Sequence, residues 1–150
     1  MLTIGIDNDS VAFRDVLELN QTMNSDRYKN FLEHYVSHWE AEKGIRLPVI
    51  LHDNARPHKS NLVQELIAQK GWSLLPHPPY SLDMNPCDLN CFGHLKLRLS
   101  GNRYDELPLL IRAIGEALEV IMDLNQNVTF TGVSKLPEVW ERVFASEGDY

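Results

Sequence analysis

The chain has 150 residues, of which 43% are hydrophobic and 23% are charged. This is the size and composition of one globular domain, and it excludes a disordered or low-complexity chain. The net charge of -7 argues against a free-standing DNA-binding domain, which usually presents a basic patch. We find no signal peptide and no apolar run of about 20 residues, and therefore expect no membrane partner.

The first half of the chain predicts strands that alternate with helices. Residues 2–19 combine alternating apolar residues with a turn cluster and predict a β-hairpin. A cap at Asn24 or Ser25, followed by apolar residues at helical spacing, predicts a helix that ends at Gly44. The short apolar run at residues 48–51 is typical of a strand that is buried on both faces.

A second helix and a second strand complete a β-α-β unit. Pro57 suits the first turn of this helix, and Gly71 suits its end. Residues 72–75 then predict another short strand. Residues 77–86 hold three of the eight prolines, which excludes a helix or a central strand there.

The remainder of the chain predicts helices. One runs from Cys87 to about Leu99, a long amphipathic helix covers residues 107–121, and a last short helix covers residues 137–144. The element order indicates an α/β fold with a mixed sheet, and we expect residues 1–150 to form a single domain.

Two aspartates follow the two strands of the β-α-β unit. Asp53 comes directly after the first strand, and Asp88 lies near the start of a helix beyond the proline-rich segment. Ligands of α/β proteins bind at the carboxyl ends of the strands, and Mg²⁺ is usually held by one or two carboxylates. A plain structural alternative stays open, in which Asp53 is a turn residue and Asp88 is a helix cap.

Three motifs around these aspartates carry a family resemblance. They are His-Asp-Asn-Ala-Arg-Pro-His at residues 52–58, His-Pro-Pro-Tyr-Ser-Leu-Asp at residues 77–83 and Asn-Pro-Cys-Asp at residues 85–88. Together they resemble the catalytic core of mariner-type transposases, in which three aspartates on an RNase H-like fold bind divalent metal. Asp53 would be the second aspartate and Asp88 the third, with the family's spacing of thirty-four intervening residues.

The resemblance extends toward both ends of the chain and has two departures. Residues 21–26, 136–142 and 148–150 also look like the corresponding family segments. Leu82 stands where the family usually has proline. More important, the sequence opens after the point where the family has its first strand, its first catalytic aspartate and its helix-turn-helix domains.

From this second departure we expect an RNase H-like mixed sheet with flanking helices that lacks its first, central strand. The isolated chain should then be weakly stable, because two strand edges lose a partner. It should also cleave DNA only near background. Asp7 is not expected to replace the first aspartate, because its position matches the family's second strand.

The resemblance implies a function, a cofactor and partners. The ancestral activity is DNA cleavage and strand transfer with Mg²⁺ or Mn²⁺, and the expected partner is DNA, in the intact family the transposon ends. Asp53 and Asp88 are the predicted catalytic and metal-binding residues, and Asn54, Arg56 and His58 are candidate DNA contacts. The implied location is the nucleus.

Other interpretations stay open. The chain could be a catalytically dead relic that acts as a DNA- or protein-interaction module, and a homodimer is one open oligomeric form. Cys87, Cys91 and His94 could lie on one helical face near His77 and bind zinc. A buried cysteine pair in a helix is, however, commonly plain core, and we expect both thiols to be reduced.

Overall fold

The computed structural model describes residues 1–18, 20–79, 81, 84–123 and 133–146. The chain groups into two compact units, a first unit of Met1 and residues 20–81 and a second unit of residues 2–19 and 82–150. The prediction of a single domain stays a prediction, and each unit is described by itself. Interpretations that concern Tyr80, Leu82 and residues 148–150 lie outside the described residues.

The first unit begins with helix α1, Ser25–Lys43. Asn24 caps it, because its side-chain oxygen accepts a hydrogen bond of 2.9 Å from the backbone N–H of Arg27. The helix ends at Gly44, whose φ of 65° lies in the left-handed region that glycine adopts without strain. The predicted helix is therefore confirmed at both ends.

A parallel strand pair and one helix form the rest of the first unit. Strand β3, Val49–Leu51, pairs with strand β4, Ser73–Leu75, and their residues stand in register. Helix α2, Asn61–Lys70, connects them and ends at Gly71 with a φ of 71°. This arrangement confirms the predicted β-α-β unit.

The start of α2 differs from its prediction. Pro57 was expected in the first helical turn, but it lies in a separate turn in which the N–H groups of His58 and Lys59 donate to the carbonyl of Ala55. The Pro57 carbonyl accepts from the Ser60 hydroxyl at 2.9 Å. Ser60 is extended, with a ψ of 148°, so this turn cannot continue into the helix.

The core of the first unit lies between α1, α2 and β4. α1 packs on α2, and α2 packs on β4. The buried side chains come from one face of each helix and from the residue before β4, namely Tyr28, Phe31, Leu32, Val36, Val63, Leu66, Ile67 and Trp72. Burying such side chains contributes about 1.5–3 kcal/mol each, which makes helix packing the main stabilising interaction of this unit.

The second unit opens with the predicted hairpin. Strand β1, Leu2–Ile6, pairs antiparallel with strand β2, Val11–Val16. Gly5 stands opposite Phe13, and a side chain at this glycine would collide with the Phe13 ring. The glycine therefore gives the ring room to lie across the neighbouring strand.

Helices form the rest of the second unit. A π-helix, Cys87–Phe92, continues directly into helix α3, Gly93–Leu99. Helix α4, Leu107–Asp123, and helix α5, Leu136–Ala145, confirm the two later helices of the prediction, with a short 3₁₀ helix at Val133–Lys135 before α5. The predicted helix from Cys87 to Leu99 is thus present, but its first part is π-helical.

The core of the second unit joins the hairpin to the helices. Its buried members come from β1, the π-helix, α3 and α4, namely Ile4, Cys91, Leu95, Ile114, Ala117, Leu118 and Ile121. The unit thus has one antiparallel pair, and the first unit has one parallel pair. Both kinds of pairing belong to a mixed α/β fold. Among the described residues, no helix has the length and apolar composition that crossing a membrane requires.

Candidate active site

Asp53 lies two residues beyond β3, at the carboxyl end of the strand. Its Oδ1 accepts a hydrogen bond of 2.9 Å from the backbone N–H of Ala55. This bond between an aspartate side chain and the backbone two residues later forms an Asx-turn. The side chain is nevertheless 48% exposed, so the turn orients the carboxylate without covering it.

His58 is the second contact of this carboxylate. Its Nδ1 lies 2.6 Å from Oδ1 of Asp53. The ring is not aligned for an N–H···O hydrogen bond, and Nδ1 is buried without a hydrogen-bond partner among the described residues. The contact therefore lacks the direction of a hydrogen bond, and the rings that pack against His58 contribute to its position beside Asp53.

His52, the residue before Asp53, contacts α1. The Tyr28 hydroxyl lies 3.0 Å from Nδ1 of His52. Burial above all, and then the neighbouring His58, lowers the pKa of His52 to about 4. His52 is therefore a neutral imidazole near pH 7 and adds no positive charge beside Asp53.

The other two candidate DNA contacts, Asn54 and Arg56, differ in whether their side chains already make a hydrogen bond within the chain. The Asn54 side-chain amide donates a hydrogen bond of 2.7 Å to the carbonyl of His77, so it ties the loop after β3 to the segment after β4. Arg56 is exposed to solvent. Of the two, Arg56 is the side chain with the freedom to reach a phosphate.

Asp88 lies in the first turn of the π-helix, where Asn85 holds it. The Asn85 amide donates a hydrogen bond of 2.7 Å to Oδ2 of Asp88. The Asn85 oxygen accepts a bond of 3.1 Å from the backbone N–H of Cys87, and this bond fixes which end of the amide faces Asp88. Asn85 belongs to the motif at residues 85–88, but its support of Asp88 was not predicted, although an Asn-Pro pair ahead of a helix is a recognised signal for a cap or a turn.

The two cysteines, Cys87 and Cys91, lie near Asp88 in the sequence, and burial governs the state of their thiols. Cys91 is completely buried in the core of the second unit. Burial raises the pKa of the Cys87 thiol to about 12 and that of Cys91 to about 11. Both thiols are therefore protonated near pH 7, whereas zinc binds the thiolate. His94, the third ligand of the zinc interpretation, is exposed.

Asp7 uses its carboxylate inside the hairpin. Its Oδ1 accepts hydrogen bonds from the backbone N–H groups of Asp9 at 2.9 Å and Ser10 at 2.7 Å. The Ser10 hydroxyl lies 3.2 Å from the same oxygen. These contacts give Asp7 a structural role in the turn, and the prediction that it does not replace a catalytic aspartate stays a prediction.

Comparison with known families adds to this geometry. Residues 10–111 match the model of the DDE superfamily endonuclease. The chain belongs to the DDE endonuclease superfamily. The matched range contains more than half of the chain and includes both candidate residues, Asp53 and Asp88.

Two curated proteins are similar to the DDE domain in sequence. The Mariner Mos1 transposase of Drosophila mauritiana is 29% identical over 155 residues, an alignment that covers 100% of this chain and 44% of that protein. The human histone-lysine N-methyltransferase SETMAR is 34% identical over 105 residues, covering 69% of this chain and 15% of that protein. The chain therefore spans less than half the length of either relative.

Solved structures of Mos1 transposase share the fold. A paired-end complex with the left transposon end has a TM-score of 0.87 and 28% identity, and the match covers 99% of this chain and 44% of that chain. The Mos1 catalytic domain with Raltegravir and Mg has a TM-score of 0.86 and 28% identity, covering 99% of this chain and 75% of that chain. These matches confirm the predicted RNase H-like α/β fold and the resemblance to mariner transposases.

Proposed function

We propose that Asp53 and Asp88 bind a divalent metal ion in a DDE domain whose ancestral reaction is DNA cleavage and strand transfer. The observation that carries this proposal is the position of Asp53, half-exposed at the carboxyl end of β3 and already oriented by Ala55. Asp88 lies in another of the family motifs, at residues 85–88, within the range that matches the DDE endonuclease model.

The donor atoms fit a hard cation. Among the described residues, the hydrogen bonds of Asp53 use Oδ1 and those of the Asp88 side chain use Oδ2, so each carboxylate has a second oxygen for a ligand. No group of three or more His, Cys, Asp or Glu side chains is assembled in the described part. Mg²⁺ needs only one or two carboxylates, because water and substrate phosphates complete its shell.

Asp53 and Asp88 would hold the ion, which would supply activation of the attacking oxygen and stabilisation of the leaving oxygen. The residues of the chain prepare this site. Ala55 and His58 restrict the Asp53 carboxylate, and Asn85 restricts Asp88. A restricted carboxylate loses less rotational freedom when it binds the ion. Arg56 is the candidate contact to a DNA phosphate.

Mn²⁺ and Mg²⁺ are proposed as alternative ions for the same site. The choice is supported by the Mos1 catalytic-domain structures solved with Mn and with Mg. DNA is the proposed partner, supported by the Mos1 complex with a transposon end. A nuclear location and a homodimer are carried over as proposals from the family resemblance.

A second candidate is a relic that acts as an interaction module. The net charge of -7 favours it, because an acidic chain gains little from contact with phosphates. The two candidates differ in their dependence on metal. Only a metal-binding DDE domain should bind DNA more tightly when a divalent ion is added, because the ion would offset the negative charge of its carboxylates near a phosphate.

Fluorescence anisotropy with a labelled DNA duplex tests this difference. We expect weak binding that falls steeply with salt and that Mn²⁺ strengthens in the unaltered chain. Asp53→Asn and Asp88→Asn should each remove the strengthening by Mn²⁺. We also expect plasmid nicking near background. Binding that Mn²⁺ does not change, or no binding even at low salt, would contradict the proposed function and favour the interaction module.

A further inference from the structure

Three side-chain rings pack together in the first unit, and we call Tyr28, His52 and His58 the ring cluster. One of them, His58, contacts the Asp53 carboxylate. The Tyr28 ring lies 3.9 Å from the His58 ring and 5.8 Å from the His52 ring, measured between centroids. The two imidazoles stack at 5.0 Å, with 17° between their planes. Tyr28 is 5% exposed, so the packing of α1 fixes its position.

His58 connects the ring cluster to the carboxylate. Its Nδ1 lies 2.6 Å from Oδ1 of Asp53, but the ring is not aligned for a hydrogen bond to it. A directional bond therefore does not set the orientation of the imidazole. The orientation depends on the rings that pack against it, and Tyr28 makes the shorter of its two ring contacts.

Tyr28 also contacts His52, the first residue of the motif at residues 52–58. Its hydroxyl lies 3.0 Å from Nδ1 of His52, and His52 precedes Asp53 in the chain. One residue of α1 thus contacts both histidines of the motif, the residue before Asp53 and the residue beside its carboxylate. Neither contact could be expected from sequence spacing, because Tyr28 lies twenty-four residues before His52.

We infer that Tyr28 is a positioning residue that holds the Asp53 carboxylate through His58. This inference rests on the proposed function of Asp53 as a metal ligand. Without the Tyr28 ring, His58 can turn away from Oδ1, and the Asp53 carboxylate then keeps only its hydrogen bond from Ala55 and is held less firmly. The number of metal ligands is unchanged, but part of the binding free energy is then spent on restricting the Asp53 carboxylate. Loss of such a supporting contact typically weakens metal affinity by about 10- to 100-fold.

The test is a Mn²⁺ titration of the whole ¹⁵N-labelled chain, followed by paramagnetic broadening of its amide signals. We expect broadening around Asp53, with an apparent affinity that Tyr28→Leu lowers about tenfold. Tyr28→Phe keeps the ring beside His58 and should stay within about twofold of the unaltered chain. Tyr35→Leu is the matched control, because Tyr35 lies on the same helix and contacts Phe31 and His34.

A double substitution separates positioning from general loosening of α1. In a His58→Ala background, Tyr28→Leu should cause no further loss of Mn²⁺ affinity, because the residue through which it acts is gone. Circular dichroism checks the helix content of each variant. If Tyr28→Leu does not fold, Tyr28→Met replaces it in the same titration, because methionine fills irregular space in a core and has no ring.

Asp53→Asn distinguishes the two ways in which the experiment can fail. If Asp53→Asn leaves the broadening unchanged, Asp53 is not a ligand, and both the proposed function and this inference are wrong. If Asp53→Asn removes the broadening, two results overturn the inference alone. One is unaltered affinity in Tyr28→Leu, and the other is a further loss when Tyr28→Leu is added to His58→Ala.

Discussion

The Asp53 carboxylate is oriented by contacts that come from near and far along the chain. Ala55 supplies a hydrogen bond from two residues away, and such an Asx-turn is predictable from the sequence. His58 lies five residues away, and its position depends on Tyr28 of another element. The sequence therefore indicates Asp53 as a candidate, whereas the support for its carboxylate requires the structure.

For Asp88 and Asp7 as well, the sequence gives the position of the carboxylate, whereas its contacts require the structure. Their places in the chain are nearly equivalent, since each acidic group follows a predicted strand or turn. Their contacts differ, because Asp7 uses Oδ1 for three contacts within its own turn and Asp88 receives one side-chain bond from Asn85. Family spacing separates the two residues, whereas composition and periodicity alone do not, and the metal-binding role of Asp88 stays a prediction.

The cysteine pair yields a prediction about reactivity. Because burial raises the pKa of Cys91 to about 11 and that of Cys87 to about 12, both thiols should react slowly with iodoacetamide at pH 8. Unfolding in urea lowers both values toward the ordinary range, and fast alkylation of both thiols should follow. Mass spectrometry of the labelled chain measures the difference. Equal rates in the folded and unfolded chain would contradict the burial of these thiols.

At the scale of elements, local signals predict the ends of helices well. Asn24, Gly44 and Gly71 act through contacts within a few residues, and all three mark helix ends in the structure. The predicted start of α2 was wrong because proline also suits a tight turn. The hydrogen bond from the Ser60 hydroxyl to the Pro57 carbonyl closes that turn. Proline alone does not distinguish the two cases.

The π-helix at Cys87–Phe92 is the element that periodicity could not predict. Its spacing of apolar residues also suits an α-helix, so nothing local signals the wider turn. π-Helical turns occur frequently at functional sites, and this one carries Asp88. The position of the Asp88 carboxylate consequently depends on a π-helical backbone, whereas the sequence predicts a regular helix there.

The packing of α4 gives a prediction at the scale of elements. Leu118 is 1% exposed in the core of the second unit, whereas Leu109 on the same helix is 45% exposed. Leu118→Ala should lower the free energy of unfolding by about 2–5 kcal/mol, because it leaves a cavity in the core. Leu109→Ala is the matched control and should change it by less than about 0.5 kcal/mol.

Urea denaturation followed by circular dichroism measures both changes. The comparison is made between two identical substitutions on one helix, so differences in helix propensity cancel. Similar losses for Leu118→Ala and Leu109→Ala would show that the described core does not stabilise this unit.

At the scale of the whole molecule, the order of elements and the motif spacing predict different things. The alternation of strands and helices predicts an α/β fold and no particular family. The RNase H-like fold came from the three motifs at residues 52–58, 77–83 and 85–88, and the similarity to Mos1 transposase confirms it. The pairing of Asp53 with Asp88 as ligands of one ion stays a prediction.

Isothermal titration of the whole chain with Mn²⁺ tests that pairing most directly. Asp53→Asn and Asp88→Asn should each weaken the affinity at least about tenfold, because each removes one charged oxygen ligand. Asp105→Asn is the matched control, since Asp105 is 78% exposed in a surface pair with Arg103, and it should leave the affinity unchanged. Unaltered Mn²⁺ affinity in either the Asp53 or the Asp88 variant would contradict a metal site built from these two carboxylates.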